Sequence, residues 1–132
     1  MRNLLRGIGR RLGLVAEESF SPADHAAAAV LRTVPFANMT TEEIRAHEDG
    51  DALARINWRA EALEACDFAV EEMERETPPR SSLAAARRLR TLVLENRLRD
   101  DPDETLTLLN AIMYNFIKME PPAGAQTLRG AN

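Results

Sequence analysis

The chain has 132 residues, of which 45% are apolar, 29% charged and 5% aromatic, with a formal net charge of −4. That length and apolar fraction suit one domain with an ordinary core and exclude a disordered or low-complexity chain. The single cysteine, Cys66, excludes an intrachain disulfide framework and a cysteine-based zinc knuckle. No apolar run approaches the length of a membrane-spanning helix.

The charge is segregated along the chain. Residues 1–13 carry four Arg and no acid, residues 14–79 carry 15 acids against five Arg, and residues 80–99 carry six Arg against Glu95. Blocks of alternating sign favour steering and self-complementary contact over a uniform field for polyanions.

In chain order, residues 2–15 read first as a helix. Leu4, Leu5, Ile8, Leu12 and Val15 fall on an arc of about 100°, the width of a one-sided apolar stripe, and Arg2, Arg6 and Arg10 lie on the other side. Gly7, Gly9 and Gly13 each cost about 1 kcal/mol of helix propensity relative to Ala, so the segment orders when its apolar face meets a partner. That partner is its own bundle, a second copy, a groove on another protein or an anionic membrane surface. Glu17 and Glu18 fall where the apolar region of a twin-arginine signal belongs, and cytoplasmic residence is the expectation.

A linker over 16–21 leads to Ser21-Pro22-Ala23-Asp24, an N-cap with proline at the first helical position. The Ala-rich helix that follows is predicted to stop at Val34-Pro35. Thr40 and Glu43 form a capping box with Met39 and Ile44 as its hydrophobic staple, and Gly50 ends or kinks that helix. Residues 51–76 are the longest periodic stretch. Ile56, Leu63, Cys66, Val70 and Met73 form its core side, and Trp58, Ala62, Ala65 and Ala69 widen it. Phe68 and Leu53 project among the carboxylates, and packing of Phe68 under a neighbouring helix is the expectation.

Thr77-Pro78-Pro79 stops the long helix, and Ser81 or Ser82 caps the next one, over 82–99. Ala85, Leu89, Leu92 and Val93 are its core stripe. Leu83, Leu94 and Leu98 make a second stripe, interleaved with Arg87, Arg90 and Arg97. Asp101-Pro102-Asp103-Glu104 opens the last helix, with Leu106, Leu109, Ile112, Met113, Phe116 and Ile117 as core and Asn110 and Asn115 interrupting it. Pro121-Pro122 ends it. These elements define an all-α fold: a small bundle of four to five helices over 22–120, a separate amphipathic N-terminal helix over 1–15, and a flexible tail over 121–132.

The chemistry of known sites finds little purchase. A ferritin-like di-metal centre needs Glu-x-x-His on two helices, whereas Glu43 and His47 stand four apart and His25 has only Asp24 beside it. Glu61, Glu64 and Glu71 read as a solvated face, and Cys66 as a small core hydrophobe. No phosphate loop, nucleophile elbow or haem attachment motif occurs. The expectation is therefore a non-enzymatic contact protein, a regulator or accessory subunit, with no catalytic, metal or cofactor residues and no small-molecule substrate. Its contact residues are Leu4, Leu5, Ile8, Leu12, Arg6 and Arg10 of the first helix and Leu83, Arg87, Arg90, Leu94, Arg97 and Leu98 of the arginine helix. Nucleic-acid binding through Arg87, Arg88, Arg90 and Arg97 is the alternative, and membrane attachment through residues 2–15 the third reading.

Overall fold

Capping chemistry sets most of the helix starts. The computed structural model describes residues 20–118, with side chains to Asn115. Six helices form there: α1 (Pro22–Ala37), α2 (Thr41–Arg45), α3 (Gly50–Leu53), α4 (Trp58–Arg75), α5 (Leu83–Leu94) and α6 (Pro102–Lys118). No strand occurs among the described residues. The helix expected over 1–15 and the tail over 121–132 lie outside them.

Reciprocal capping boxes open α1 (Ser21 with Asp24) and α2 (Thr40 with Glu43). The Asn57 side chain accepts the Ala60 N–H at the start of α4, and Asp101 accepts the Glu104 N–H at the start of α6. Ser82 stands at the N-cap of α5 without capping it; its hydroxyl donates instead to Asn115 Oδ1 at 3.2 Å.

The four long helices form a closed ring. α1 packs most extensively on α4, α4 on α5, and α6 closes the ring against α5 and α1. Cross-links fix their directions. Arg59 at the start of α4 donates to the Val93 and Leu94 carbonyls at the end of α5. Ser82 before α5 meets Asn115 late in α6, and Arg99 before α6 donates to the Asn38 carbonyl just past α1. Each helix thus runs antiparallel to its neighbours, the up-down arrangement that short connections favour.

Small side chains make the α1–α4 seam. Ala23, Ala26, Ala27, Ala28, Val30 and Val34 are buried from one side, and Ala62, Ala65, Cys66, Ala69, Val70 and Met73 from the other. Leu83, Ala85, Ala86, Leu89, Leu92, Val93, Leu98, Leu109 and Ile112 complete the core. Burial pushes the Cys66 thiol up to about 12, leaving it neutral and inert.

Both corners are pinned by polar groups. Between α1 and α4, Phe36 stacks on buried Trp58 with ring centroids 4.6 Å apart and meets His47 at 5.5 Å, while the indole N–H donates to the Leu53 carbonyl. Position 50, at the start of α3, takes glycine because a Cβ there would overlap the Arg45 backbone. Between α4 and α5, the buried guanidinium of Arg80 donates to Asp24 Oδ1 at 2.8 Å and to both oxygens of Glu76 at 2.9 Å. Burial alone would lower the Arg80 pKa; the Glu76 and Asp24 hydrogen bonds outweigh it and raise it.

Four element boundaries differ from expectation. α1 runs through Pro35 to Ala37, because the proline lies in the last turn and costs one bond there. The Asn38 N–H still reaches the Val34 carbonyl at 3.0 Å. The stretch over 51–76 is broken at 54–57, and Ile56, expected in the core, is exposed on that turn. The helix that opens at Thr41 ends at Arg45, and Gly50 begins a new one. α5 ends at Leu94, not Arg99. Asn96 takes the left-handed conformation (φ 56°), and the Asn96 and Arg97 N–H groups bond the Val93 and Leu92 carbonyls. This is a Schellman closure with asparagine in glycine's place.

Removing one member of a buried ion pair strands the other charge. Asp24→Ala should lower the unfolding free energy by about 3–5 kcal/mol in urea melts. Glu76→Ala should cost less, since the Glu76 side chain is 31% exposed and water can replace it.

Candidate contact surface

α6 carries more apolar side chains than one interface can bury. Thr105, Leu109 and Ile112 face the core, with the Thr105 hydroxyl donating to the Leu98 carbonyl at 3.1 Å. At 100° per residue, Leu106, Asn110, Met113 and Tyr114 form a second arc on the flank of that core face, with Asp103 at its edge. Leu106 is 58% exposed, Met113 43% and Tyr114 58%. The expectation of Leu106 and Met113 in the core is therefore corrected: the bundle needs only the inner arc. The expected core positions Phe116 and Ile117 lie beyond the described side chains.

This flank runs into a cleft of about 480 Å³ between the end of α1 and the start of α6. Pro35, Met39, Pro102, Leu106 and Leu109 supply its apolar wall, and Arg99 and Glu43 its polar rim. Arg99 Nη1 donates to Glu43 Oε1 at 2.9 Å and to the Asn38 carbonyl at 2.6 Å. The Thr40 N–H, with the Thr40 hydroxyl and Arg99 adding to it, holds the Glu43 carboxyl below the usual glutamate range. Asn38 Oδ1, on the cleft wall, is buried and accepts no hydrogen bond among the described residues.

The expected Leu/Arg face of α5 comes apart. Leu83 and Leu98 are buried, Leu83 because α5 begins there against the core and Leu98 because the Schellman turn folds it back under α6. Only Leu94 of that stripe stays out, at 56% exposure. The arginines point at acids of the same bundle: Arg87 at Glu74, Arg90 at Asp67 (3.7 Å), Arg88 at Glu104, and Arg97 at Glu95 and Asp100. Such exposed pairs add little to stability, but they neutralise the basic strip. Leu4, Leu5, Ile8, Leu12, Arg6 and Arg10 lie outside the described residues.

A second depression, of about 210 Å³, sits between α1 and α4 beside Arg32, Glu61, Glu64 and Phe68. Phe68 is 42% exposed at its rim, not packed under a neighbour as expected. Arg32 Nε is buried without a partner among the described residues, and burial pulls the Arg32 pKa down.

Sequence reasoning missed the α6 flank and the cleft. One signal was present: Leu106, Leu108, Leu109, Ile112, Met113 and Tyr114 span an arc wider than a single helix contact covers. The site is thus an apolar helix flank on an antiparallel four-helix bundle, opening into a cleft with a charged rim. No family model, curated protein or solved structure matches the chain.

Two measurements check this geometry. Leu109→Ala should cost about 2–5 kcal/mol of stability and Leu106→Ala under about 0.5 kcal/mol, read by denaturant melts. The Glu104 carboxylate accepts two hydrogen bonds from Arg88, at 2.9 and 3.0 Å, which hold its pKa below the usual range. That pairing supports the fold above the ordinary glutamate pKa and is lost as pH falls through the folded value. In an NMR carboxyl titration, Arg88→Gln should move the Glu104 midpoint upward; an unmoved midpoint means the pair does not persist in solution.

Proposed function

We propose that this chain works by protein–protein contact, as a small regulator or accessory subunit, and that the α6 flank with its cleft is the docking surface. The observation that carries this reading is the exposure of Leu106 and Met113 on one regular helix, continuous with an apolar cleft. Apolar side chains rimmed by charge, on a helix whose inner face already holds the core, are what a partner desolvates on binding. Leu94 offers a smaller contact at the C-terminal end of α5.

The pairing of Arg87, Arg88, Arg90 and Arg97 with acids weighs against phosphate binding by that strip, since each contact would first break an ion pair. No such penalty attaches to the α6 flank.

The test is comparative affinity purification of the native chain and a Leu106→Asp, Met113→Asp double variant from the source cell. Both positions are exposed, so far-UV circular dichroism should be unchanged. Proteins retained by the native chain and lost from the variant support the reading. Identical retention by both, or retention of nothing by either, would refute it.

A further inference from the structure

The outward face of α6 differs in kind from those of α4 and α5. Exposed positions on α4 include Glu61, Glu64, Asp67, Glu71 and Glu74, and those on α5 include Arg87 and Arg90. On α6 no charged residue occurs between Glu104 and Lys118, although Leu106, Thr107, Asn110, Ala111 and Met113 are all exposed. Depletion of charge is what marks the centre of a protein interface.

Charge also says which partner such a face suits. The described residues hold 18 Asp and Glu against 12 Lys and Arg, so two copies of the bundle repel each other over much of their surface. The α6 flank can meet itself without that cost. We infer that two copies associate through this flank, their α6 helices packed antiparallel about a two-fold axis at Asn110. The inference rests on reading the flank as a docking surface and names a second copy of the chain as the partner it receives.

Symmetry and charge select the arrangement. In a two-fold contact the same patch serves on both sides. With the axis at Asn110 the two carboxamides face each other, and each carries both donors and an acceptor, so the pair satisfies itself. Leu106 of each copy falls beside the turn that holds Met113 of the other. Seven residues separate Asp103 from Asn110, so the acidic starts of the two helices stand about 21 Å apart along the axis. That is beyond the Debye length of about 8 Å at physiological salt. Parallel packing would instead set them one helix spacing apart, about 8–10 Å, and gather the exposed Asp100, Asp101 and Asp103 of both copies into one cluster. Antiparallel packing lays the acidic start of each α6 along the last turn of the other, which ends at Lys118. The same register brings that turn to the mouth of the cleft at Pro102 and Leu106, so each copy covers the cleft of the other.

The test weighs the full chain by analytical ultracentrifugation across a dilution series. At the concentrated end it should sediment at twice 14.7 kDa. Leu106→Asp with Met113→Asp should hold it at the single-chain mass with unchanged far-UV circular dichroism. Disulfide trapping reads the orientation. Cys66 is buried with its thiol pushed up to about 12, so under mild oxidation only an introduced cysteine reacts. Asn110→Cys lies on the axis and should link the two copies. Asp103→Cys should not, since a disulfide needs Cα atoms within about 7 Å of each other. A single-chain mass for the native protein at every concentration overturns the inference. So does a dimer that survives the double substitution, the absence of a link at position 110, or a link at position 103 that forms as fast. A monomeric native chain that still retains a different protein in the affinity comparison removes this inference and keeps the docking reading.

Discussion

The guanidinium of Arg80 ties three helix ends together. It is buried in the connection between α4 and α5, takes Glu76 in a two-pronged grip, and reaches Asp24 across the seam at the start of α1. Asp24 is already committed by its other oxygen to the Ser21 N–H, so cap and ion pair share one carboxylate. A buried ion pair adds little net stability over an apolar filling of the same shape. What it supplies is registration: only one axial placement of α1 against α4 satisfies both charges at once.

Registration matters because the seam it governs is made of small residues. Alanine on alanine offers little area per residue and no large knobs to lock a position. The Ala26–Ala29 run against Ala62, Ala65 and Ala69 would tolerate a one-turn slip far better than a leucine seam would. Arg80 at one end and the Phe36–Trp58 stack at the other remove that freedom. The same two corners decide where α6 lies, since Ser81 and Ser82 hold its late turns through Asn115 and Arg99 anchors its start to Asn38.

What could be read beforehand followed from local chemistry. Ser21, Thr40 and Asp101 announce their helices because a short acceptor side chain at an N-cap acts within three residues. The α5 core of Ala85, Leu89, Leu92 and Val93 was legible because a single period repeats there. The losses came where a residue's fate depends on chain direction. Leu94 and Leu98 share a helical stripe on paper, but the left-handed Asn96 between them sends one into water and the other into the core. No hydrophobic pattern encodes that turn, and asparagine is only an occasional substitute for glycine in it. Ile56 was misplaced for the same reason, by a break at 54–57 that leaves the surrounding periodicity intact.

The charge blocks take their meaning from the same topology. An antiparallel ring sets the basic α5 between α4 and α6, so its arginines find Glu74, Asp67 and Glu104 on the helices at either side. What looks along the sequence like a strip for polyanions is, in space, one half of an internal match. The acidic excess that remains among the described residues sits elsewhere, at the exposed start of α6 among other places.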